Sequence, residues 1–490
     1  MSKIKWLILV LTLAVFGLII FWPHLSYPFP FHVDEWHHLT EAKRLANPGE
    51  YFNWLQAEPG RATSGLEIGF QVLLLFLSKI FNIISIYKFL PALWAIFSGL
   101  ALFFVAYQKS FKNFFLAWLA LIFFMAIRTN ANLTGLWFFT PLSFAFPFIF
   151  LYTYFLSEGI LMANKKYLLS GFFIMLALLI FHPLSVLFSL PIFVIFVAIN
   201  YRQVIKLKWI GLAGGIIIVA GIGFFALIFG ENLFVALKHI ISLLSFPRGW
   251  GVLELNNSLF ELYPWPAWLW AIIGTIYLVH RDPRRYSFYL IWPAFLLGST
   301  LFYRLVGISY FSPFQRNLYY LTLALPFLSG CGLYYFTQKT LPRWLTTWPN
   351  QKIASRVISG TLIIVTFFVI FVGYYNLPKQ SLLYRVITPD DYATLQFLAK
   401  EPKTIVMGTP FIGTALVALT DHEPVGAINF YGQRQPVENF YLRGDCAEKR
   451  KIIESTGAKI VYWPKALKPL DCPWLKLVHN ASSSKLFTVN

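Results

Sequence analysis

Trp6-Leu-Ile-Leu-Val-Leu-Thr-Leu-Ala-Val-Phe-Gly-Leu-Ile-Ile-Phe-Trp22 is an unbroken apolar run, and it soon leads into His32-Val-Asp-Glu-Trp-His-His38. The first stretch is long enough to cross a bilayer as a helix. The second is the densest cluster of ionisable side chains in the chain. Ionisable groups at the rim of a membrane protein are functional candidates because placing them there is energetically costly. These two stretches predict a membrane protein with a site just beyond its first span.

The composition supports a membrane protein. The chain has 490 residues, of which 58% are hydrophobic and 12% are charged, whereas soluble domains carry about 25% charged residues. Its net charge of +19 is typical of a membrane protein whose Lys and Arg collect in cytoplasmic loops. We therefore do not expect nucleic-acid binding. No small-residue cleavage site follows the first span, which is expected to remain as an anchor.

Hydrophobic runs elsewhere in the chain predict a polytopic α-helical protein. The expected spans are Trp6–Trp22, Ile86–Gln108, Asn113–Ile127, Gly135–Leu156, Tyr167–Phe181, Pro183–Ile199, Trp209–Gly230, Trp265–His280, Tyr286–Phe302, Asn317–Phe336 and Val357–Tyr375. The loops between them alternate between basic and nearly uncharged. Placing the basic loops inside puts 14 Lys and Arg there, against 5 in the other loops. This bias predicts a cytoplasmic N-terminus.

The short apolar stretch Leu66–Phe81 determines whether the chain crosses the membrane an even or an odd number of times before Lys109. A cytoplasmic N-terminus and a cytoplasmic Lys109 are compatible only if this stretch does not cross the membrane. We therefore expect an interfacial helix within a first outer loop over residues 23–85, and about 11 transmembrane helices in all. An ordinary crossing helix remains the alternative.

The last part of the chain, residues 377–490, differs from the rest in composition and hydropathy pattern. It carries 10 of the 21 Asp and Glu residues and has shorter apolar runs. Thr388-Pro389-Asp390-Asp391 is a typical helix start. Its pattern alternates between strands and helices. Strand-like segments lie at Thr404–Gly408 and Lys459–Trp463, with a predicted helix at Asp445–Ser455 between them and a closing hairpin through Leu486–Val489. This alternation predicts a small extracytoplasmic α/β domain. Residues 1–376 would form the transmembrane module.

The three cysteines fit this division. Cys331 lies in an apolar span and is expected to pack in the protein interior. Cys446 and Cys472 both lie in the tail, where a disulfide requires an oxidising compartment. The sequence leaves a disulfide and two free thiols as alternatives.

The ionisable cluster lies on a predicted helix, Val33–Ala46. Trp36, Leu39 and Ala42 share one side of it, and Asp34, His38 and Glu41 share the other. Such a helix would lie on the membrane with its acids facing outward or into a cavity.

This arrangement resembles the GT-C glycosyltransferases, in particular the polyprenyl-phosphate-dependent branch that includes protein O-mannosyltransferases and aminoarabinose transferases. The resembling residues are Asp34-Glu35, Trp36-His-His-Leu39 and Ala42-Lys-Arg-Leu-Ala46, which follow an N-terminal span and precede a multi-span body with an outer α/β tail. The resemblance implies a GT-C-like catalytic module over residues 1–376.

The resemblance also implies a reaction. A sugar on a polyprenyl phosphate would be transferred to a glycan, lipid or protein acceptor, with Asp34 taking the acceptor's proton and Glu35 as the alternate or orienting group. The leaving phosphate needs cations, for which Arg is well suited. The outer-side candidates are Arg248, Arg304 and Arg316, each of which has an interfacial, snorkelling role as its alternative.

Other polar residues complete the expected site. Many relatives carry a second acid in the next outer loop, where this chain has Arg128-Thr-Asn-Ala-Asn-Leu-Thr-Gly135 and only amides such as Asn130 are available. His37, His38 and His182 are substrate-binding candidates, and they could instead take part in holding a divalent metal (Mn, Mg or Zn). We assign no metal ligands, and no cofactor is required.

Two other functions are compatible with the sequence. A transporter or flippase for a lipid or glycan would show internal repeats or broken helices, and a noncatalytic assembly protein would use its tail for recognition. The expected location is a prokaryotic plasma membrane, with the C-terminal domain on the extracytoplasmic side.

Overall fold

The computed structural model describes residues 2–46, 67–128, 135–207, 244–248, 259–348, 350–372, 385–428, 434–442 and 445–490, together with residues 235, 238 and 242. The chain divides into two compact units. The membrane unit comprises Met1–Ile20, Ala92–Trp137 and Leu142–Leu377. The loop–tail unit comprises Phe21–Pro91, Phe138–Pro141 and Pro378–Asn490. By its contacts, most of the first outer loop therefore belongs with the tail. The predicted domain boundary at residue 377 stays a prediction.

Apolar helices build the membrane unit. They are α1 (Lys3–Phe21), α5 (Leu90–Lys109), α6 (Phe114–Met125), α7 (Pro141–Leu161), α8 (Lys165–Phe181), α9 (Leu184–Leu187), α10 (Leu190–Ile199), α11 (Tyr201–Ile205), α12 (Leu259–Leu262), α13 (Trp265–Arg281), α14 (Ser287–Val306), α15 (Phe314–Tyr335), α16 (Leu341–Trp344) and α17 (Gln351–Val372). A short antiparallel pair joins β1 (Ser245–Pro247) to β2 (Ile308–Tyr310).

Five of the described helical segments have at least 18 residues and are apolar enough to cross a membrane. They are Lys3–Leu25, Leu90–Lys109, Pro141–Leu161, Ser287–Val306 and Gln351–Val372. Helices also occupy the other predicted spans, except that Trp209–Gly230 lies outside the described residues. The chain is thus an integral membrane protein, and its total of about 11 spans stays a prediction.

Helix α15 forms the centre of the membrane unit, because it is buried along almost its whole length from Asn317 to Tyr335. It packs against α6, α13 and α14. The crossing with α13 is very close. A Cβ atom on Gly274 would lie 2.0 Å from the Leu328 carbonyl oxygen, and one on Gly332 would lie 2.0 Å from the Trp270 carbonyl oxygen. Small residues thus let the two backbones touch, a common device of membrane helices.

One acid is buried at the end of an apolar helix. α7 extends to Leu161, beyond the predicted end at Leu156, and therefore includes Glu158. The Lys109 ammonium group pairs with the Glu158 carboxylate and donates to the Arg285 carbonyl oxygen at 2.9 Å. This buried pair ties α5 and α7 to the turn before α14.

The loop–tail unit contains shorter helices and a five-stranded sheet. Its helices are α2 (Val33–Arg44), α3 (Ile68–Ile80), α4 (Ile83–Tyr87), α18 (Pro389–Leu398), α19 (Pro410–Leu419), α20 (Arg434–Leu442) and α21 (Cys446–Thr456). Its strands are β3 (Ile405–Met407), β4 (Glu423–Pro424), β5 (Ile460–Pro464), β6 (Leu475–Asn480) and β7 (Ser484–Val489). Helix α3 has 13 residues, about 20 Å at 1.5 Å per residue, and its interfacial placement stays a prediction.

The sheet has the order β4-β3-β5-β7-β6. β3 pairs in parallel with both β4 and β5, with Val406 opposite Pro424 on one side and Ile460 on the other. The hairpin of β6 and β7 adds antiparallel strands beyond β5. The predicted α/β tail is thereby confirmed. Thr388 caps α18 as expected, because its hydroxyl accepts the Asp391 N–H at 3.1 Å and the Asp391 carboxylate accepts the Thr388 N–H at 2.7 Å.

A disulfide joins Cys446 to Cys472 across 26 residues of the tail, which resolves the two sequence alternatives in favour of the bridge. Cys472 belongs to the apolar core beneath the sheet, with Met407, Val461, Trp463 and Phe487 among its members. Cys331 is buried and unpaired, as expected.

Helix α2 of the first outer loop packs against α3 and against α19 of the tail. The Lys43 ammonium group donates to the Thr420 carbonyl oxygen at 2.6 Å and lies 2.9 Å from a carboxylate oxygen of Asp421. Two segments far apart in sequence thus fold together around the predicted acid-bearing helix.

Candidate active site

Helix α2 begins at His32, whose backbone is extended. The Nδ1 atom of His32 accepts the Asp34 N–H at 3.1 Å. This bond satisfies one of the N–H groups that a helix start leaves without a partner. Asp34 and Glu35 then lie in the first turn, where the helix dipole favours negative charge.

The Glu35 carboxylate is fully buried and accepts three backbone hydrogen bonds. Its Oε2 atom accepts the N–H groups of Phe31 at 2.8 Å and His32 at 2.9 Å. Its Oε1 atom accepts the Phe139 N–H at 2.8 Å. Phe139 comes from the segment between α6 and α7, so Glu35 connects the start of α2 to a distant part of the chain.

Burial raises the pKa of Glu35 to about 7, and the N–H donors from His32, Phe139 and Phe31 oppose that shift. Removal from water disfavours the charged form, whereas each donor favours it. This carboxyl group therefore takes up a proton at a higher pH than a glutamate side chain in water does.

A second bond fixes the same segment from its other side. The Tyr87 hydroxyl donates to the Phe139 carbonyl oxygen at 2.5 Å. Tyr87 ends α4 and is fully buried. The backbone of Phe139 is thus held by α2 at its N–H and by α4 at its carbonyl, which makes this part of the loop–tail unit a fixed scaffold for Asp34.

Asp34 has the opposite environment. It keeps 35% of its side-chain surface exposed, and its Oδ2 atom lies 3.4 Å from Nδ1 of His32. That contact is an ion pair only when the imidazole is protonated, and the Asp34 N–H already donates to the same nitrogen. The exposed carboxylate can take a proton from a bound molecule, which the buried Glu35 oxygens cannot reach.

The two histidines of the cluster are buried. Burial lowers the pKa of His37 to about 4, so the imidazole is neutral at pH 7. The Nε2 atom of His38 lies 3.5 Å from a Glu67 carboxylate oxygen, and its ring packs edge-on against Phe70. His38 therefore lies buried against the start of α3, and its role in substrate binding stays a prediction.

His182 lies in the membrane unit, at the end of α8. It is buried, and its Nδ1 atom lies 2.6 Å from the Ser185 hydroxyl oxygen. That oxygen lies 3.1 Å from the Tyr320 hydroxyl, which extends the polar chain onto α15. The structure therefore places His182 in a hydrogen-bonded network that links helices.

Arg248 and Arg304 meet at the β1–β2 pair. The Arg248 guanidinium donates to the Arg304 carbonyl oxygen at 3.1 Å, and the Arg248 N–H donates to the Gly307 carbonyl oxygen at 2.9 Å. Gly307 ends α14 with φ +81°, and a Cβ atom there would lie 3.1 Å from the Arg248 Nε atom. Glycine is thus required both by the left-handed backbone and by the close passage of the arginine.

Arg316 lies in the first turn of α15 and is half-buried. Its neighbour Asn317 holds the preceding loop. The Asn317 amide donates to the Ser309 hydroxyl at 2.8 Å, to the Ser312 carbonyl at 3.3 Å and to the Ser299 hydroxyl at 3.2 Å. The loop between Arg304 and Arg316 is therefore fixed from within, which limits the positions that both guanidinium groups can reach.

The remaining candidates are divided between the two units or lie outside the described residues. Asn130 lies outside the described residues. Across the described ranges, no three His, Cys, Asp or Glu side chains converge as a metal ion would require. Asp34, Glu35, His37 and His38 belong to the loop–tail unit, whereas His182 and the three arginines belong to the membrane unit.

Several positioning residues were missed from the sequence. Phe139 acts through its backbone, and Tyr87 and Asn317 act through hydrogen bonds to residues of other segments, so no pattern in the sequence indicates them. Gly307 is different, because a glycine directly after an apolar helix is a typical C-terminal cap. Only its closeness to Arg248 needed the structure.

Solved structures share this architecture. Archaeal oligosaccharyltransferase AglB from Archaeoglobus fulgidus, in complex with an inhibitory peptide and a dolichol-phosphate, aligns with a TM-score of 0.57 at 12% identity, over 94% of this chain and 70% of AglB. The A. fulgidus oligosaccharyltransferase with Zn and sulfate aligns with a TM-score of 0.50 at 12% identity, over 92% and 68% of the two chains. ArnT from Cupriavidus metallidurans, bound to undecaprenyl phosphate, aligns with a TM-score of 0.54 at 13% identity, over 99% and 98%.

Sequence comparison alone finds no counterpart: no family model matches the chain, and no curated protein matches it. The likeness therefore rests on the arrangement of the helices and of the tail, over nearly the full length of both this chain and ArnT. The resemblance predicted from the Asp34–Ala46 segment is confirmed at the level of the fold: the chain is an integral membrane protein that shares its fold with AglB and ArnT.

Proposed function

We propose that the protein is a glycosyltransferase that moves a sugar from a polyprenyl phosphate to an acceptor on the extracytoplasmic face of the membrane. The shared fold supports this proposal, as do the dolichol-phosphate and undecaprenyl phosphate in two of the aligned structures. The observation that carries it is the contrast between two adjacent carboxylates of α2, one built into the scaffold and the other facing solvent.

In this proposal Asp34 is the general base. An acceptor hydroxyl or amine gives its proton to the Asp34 carboxylate as its oxygen or nitrogen bonds to the anomeric carbon. The bond between that carbon and the phosphate oxygen breaks, and the polyprenyl phosphate leaves with the bonding electrons. A positioned base of this kind contributes about 10²- to 10⁴-fold to the rate.

Glu35 is proposed as the orienting group, since both of its oxygens already accept backbone N–H groups. It fixes the first turn of α2 and hence the direction of Asp34. We infer supporting roles of the same kind for His37 and His38, both of which are buried.

We assign the binding of the leaving phosphate to arginine side chains. Guanidinium groups present several N–H donors in a plane that matches a phosphate, and their charge stabilises the one that develops as the sugar departs. Arg316 and Arg304 bracket the loop fixed by Asn317, and Arg248 contributes through the β1–β2 pair. His182 and Asn130 are proposed as further polar contacts to the donor.

A divalent metal remains a separate proposal. One aligned oligosaccharyltransferase structure contains Zn and sulfate. In this chain His37 and Glu41 lie four residues apart on α2, a spacing that places their side chains on one side of the helix, and their chemistry suits such an ion. Dialysis against a chelator tests it: a metal-dependent enzyme loses activity and regains it with Mn, Mg or Zn, and full activity in the chelator would exclude the ion.

The proposed orientation has a cytoplasmic N-terminus and an extracytoplasmic tail, in a prokaryotic plasma membrane. Single cysteines introduced at exposed positions of the tail, in a chain lacking Cys331, test this directly. Labelling by a membrane-impermeant maleimide in intact cells is expected, and labelling only after lysis would reverse the assignment.

The function itself is tested by following the lipid. Full-length protein in lipid nanodiscs is incubated with undecaprenyl-phosphate and dolichyl-phosphate sugars and with membrane extract as the acceptor source. A glycosyltransferase releases free polyprenyl phosphate and adds the sugar mass to an acceptor, both of which mass spectrometry detects. A flippase would move the donor intact, and an assembly protein would leave it unchanged; either result would refute the proposal.

A further inference from the structure

A cavity of about 520 Å³ lies between the C-terminal end of α15 and the first turns of α17. Its size suits a small organic ligand or a lipid headgroup. Seven of its ten lining residues carry polar side chains, and those used below are Gln338, Gln351, Lys352, Ser355, Arg356 and Ser359. All of them belong to the membrane unit, and none of them is among the predicted site residues.

The cavity is held open by the backbone around it. Residues Phe336–Thr340 form a π-helical turn that extends α15, a rare geometry that often occurs at functional sites. The Gln351 amide donates to the Pro342 carbonyl oxygen at 2.6 Å, and the Ser359 hydroxyl donates to the Thr337 carbonyl oxygen at 3.3 Å. These bonds tie α17 to α16 and to the turn without filling the space between them.

The charge of the cavity is positive. Lys352 and Arg356 are four residues apart on α17 and therefore lie on the same side of the helix. No carboxylate lines the cavity, and within the described part of the chain neither cation makes an ion pair. Two cations beside hydroxyl groups and a glutamine amide form a donor set suited to a phosphate.

The surroundings indicate a membrane interface. Trp344 and Trp348, just before α17, leave 66% and 55% of their surfaces exposed, as is typical of tryptophans at the level of lipid headgroups. Along α17, Ile353, Val357 and Ile364 are exposed apolar side chains that suit contact with acyl chains. A headgroup in the cavity would thus have an apolar surface beside it for its tails.

We propose that this cavity binds the phosphodiester headgroup of an anionic phospholipid, with Lys352 and Arg356 on the phosphate and the acyl chains along α17. Basic pockets between transmembrane helices bind such headgroups elsewhere. The basic loops predict that this face is cytoplasmic, so the lipid would belong to the bilayer rather than to the proposed sugar donor.

The test uses the full-length protein in detergent, titrated with phosphatidylglycerol, phosphatidylcholine or inorganic phosphate, with bound lipid counted by native mass spectrometry. Wild-type protein is expected to bind phosphatidylglycerol at least tenfold more tightly than phosphatidylcholine. The Lys352→Ala/Arg356→Ala double variant should lose roughly ten- to thirtyfold in affinity, from two cations near a headgroup.

Two further variants separate the cavity from surface charge. Lys339→Ala/Arg343→Ala removes equal charge from neighbouring residues outside the cavity lining and should bind as wild type. Gly360→Leu keeps both cations but fills the cavity, since a Cβ atom at Gly360 meets no atom within 4 Å; it should bind as poorly as the double variant. Equal losses in the two double variants, unchanged binding in Gly360→Leu, or equal competition by inorganic phosphate would each overturn the proposal.

Discussion

Two neighbouring carboxylates of one helix turn have different chemistry because of what surrounds them. The Glu35 oxygens accept the N–H groups of Phe31, His32 and Phe139 in a fully buried position, whereas Asp34 keeps contact with solvent. Sequence alone could assign the proton-accepting role to either. Burial and hydrogen bonding favour Asp34 as the reactive carboxylate and Glu35 as its support.

Replacing Glu35 by Gln should destabilise the protein. The amide offers one oxygen acceptor, so its NH₂ group must face backbone N–H donors that then lose their partner. A buried donor left unsatisfied costs about 1–3 kcal/mol. Thermal unfolding in detergent should show a lower midpoint for Glu35→Gln, while Asp34→Asn, at a half-exposed position, stays near wild type. Equal midpoints for wild type and Glu35→Gln would contradict the buried acceptor role.

The raised pKa of Glu35 also predicts a pH dependence. Its pKa of about 7 in the folded protein exceeds the ordinary pKa of 4.5 for a glutamate side chain, so between these two pH values the native state holds the proton and the unfolded state does not. Its contribution to stability is therefore complete below pH 4.5 and is lost as the pH rises towards 7 and above. His37, whose pKa is lowered to about 4, acts oppositely, because stability rises as the unfolded imidazole loses its proton.

The difference between wild type and Glu35→Gln isolates the carboxyl group from the histidine. Unfolding midpoints of both proteins are measured from pH 5 to pH 8. The stabilising contribution of Glu35 should decline over this range in wild type and be absent from Glu35→Gln, so the difference between the two midpoints should change with pH. Parallel profiles for the two proteins would show that Glu35 does not titrate in this range.

At the scale of elements, the close contact between α13 and α15 determines how helices pack in the membrane unit. Gly274 of α13 and Gly332 of α15 let two backbones meet, and larger residues at either position would have to push against carbonyl oxygens. Because α15 is also the most buried helix, a displacement there would be transmitted to α6 and α14.

Gly274→Ala should therefore destabilise the protein by about 2 kcal/mol or more, as overpacking does in tight interiors. Gly298→Ala is the matched control, because it lies in the neighbouring helix α14 and a Cβ atom there meets nothing within 4 Å. The control should be neutral, or stabilised by up to about 1 kcal/mol through helix propensity. The measurement is the thermal unfolding midpoint of both variants in the same detergent. Equal changes of the midpoint in the two variants would refute the close crossing of α13 and α15.

Local signals predicted most of the elements. The cap at Thr388, the helix after Asp445 and the strands around Val406 and Val461 follow from side-chain patterns that act within a few residues. The contact of α2 with α19, and the bond from Glu35 to Phe139, join segments far apart in sequence. Those contacts depend on tertiary packing, so a single sequence could indicate the helix but not its neighbours or the burial of His38.

At the scale of the whole molecule, the chain folds as two units that do not follow the order of the sequence. The loop–tail unit is built from three separate segments, with Phe138–Pro141 inserted between helices of the membrane unit. The acid-bearing helix thus belongs to the same compact unit as the α/β tail. Destabilising the tail is therefore expected to affect the candidate base, although the tail carries none of the predicted site residues.

The disulfide gives a way to test that dependence. A bridge closing a loop of 26 residues is worth roughly 3 kcal/mol. The Cys446→Ser/Cys472→Ser variant should unfold at a lower temperature than wild type and lose transferase activity on mild heating before wild type does. Adding reductant should lower the wild-type midpoint towards that of the variant. Full activity after the tail has unfolded would show that α2 does not depend on it.

The central claim is that Asp34 removes the acceptor's proton during transfer from a lipid phosphate. Its most direct test measures donor binding and sugar transfer together in Asp34→Asn, with Glu401→Gln as a control that removes an exposed carboxylate of the same unit. Asp34→Asn should bind the polyprenyl-phosphate sugar as wild type does and transfer it at least about 100-fold more slowly, while Glu401→Gln stays active. Transfer by Asp34→Asn at the wild-type rate would contradict the account.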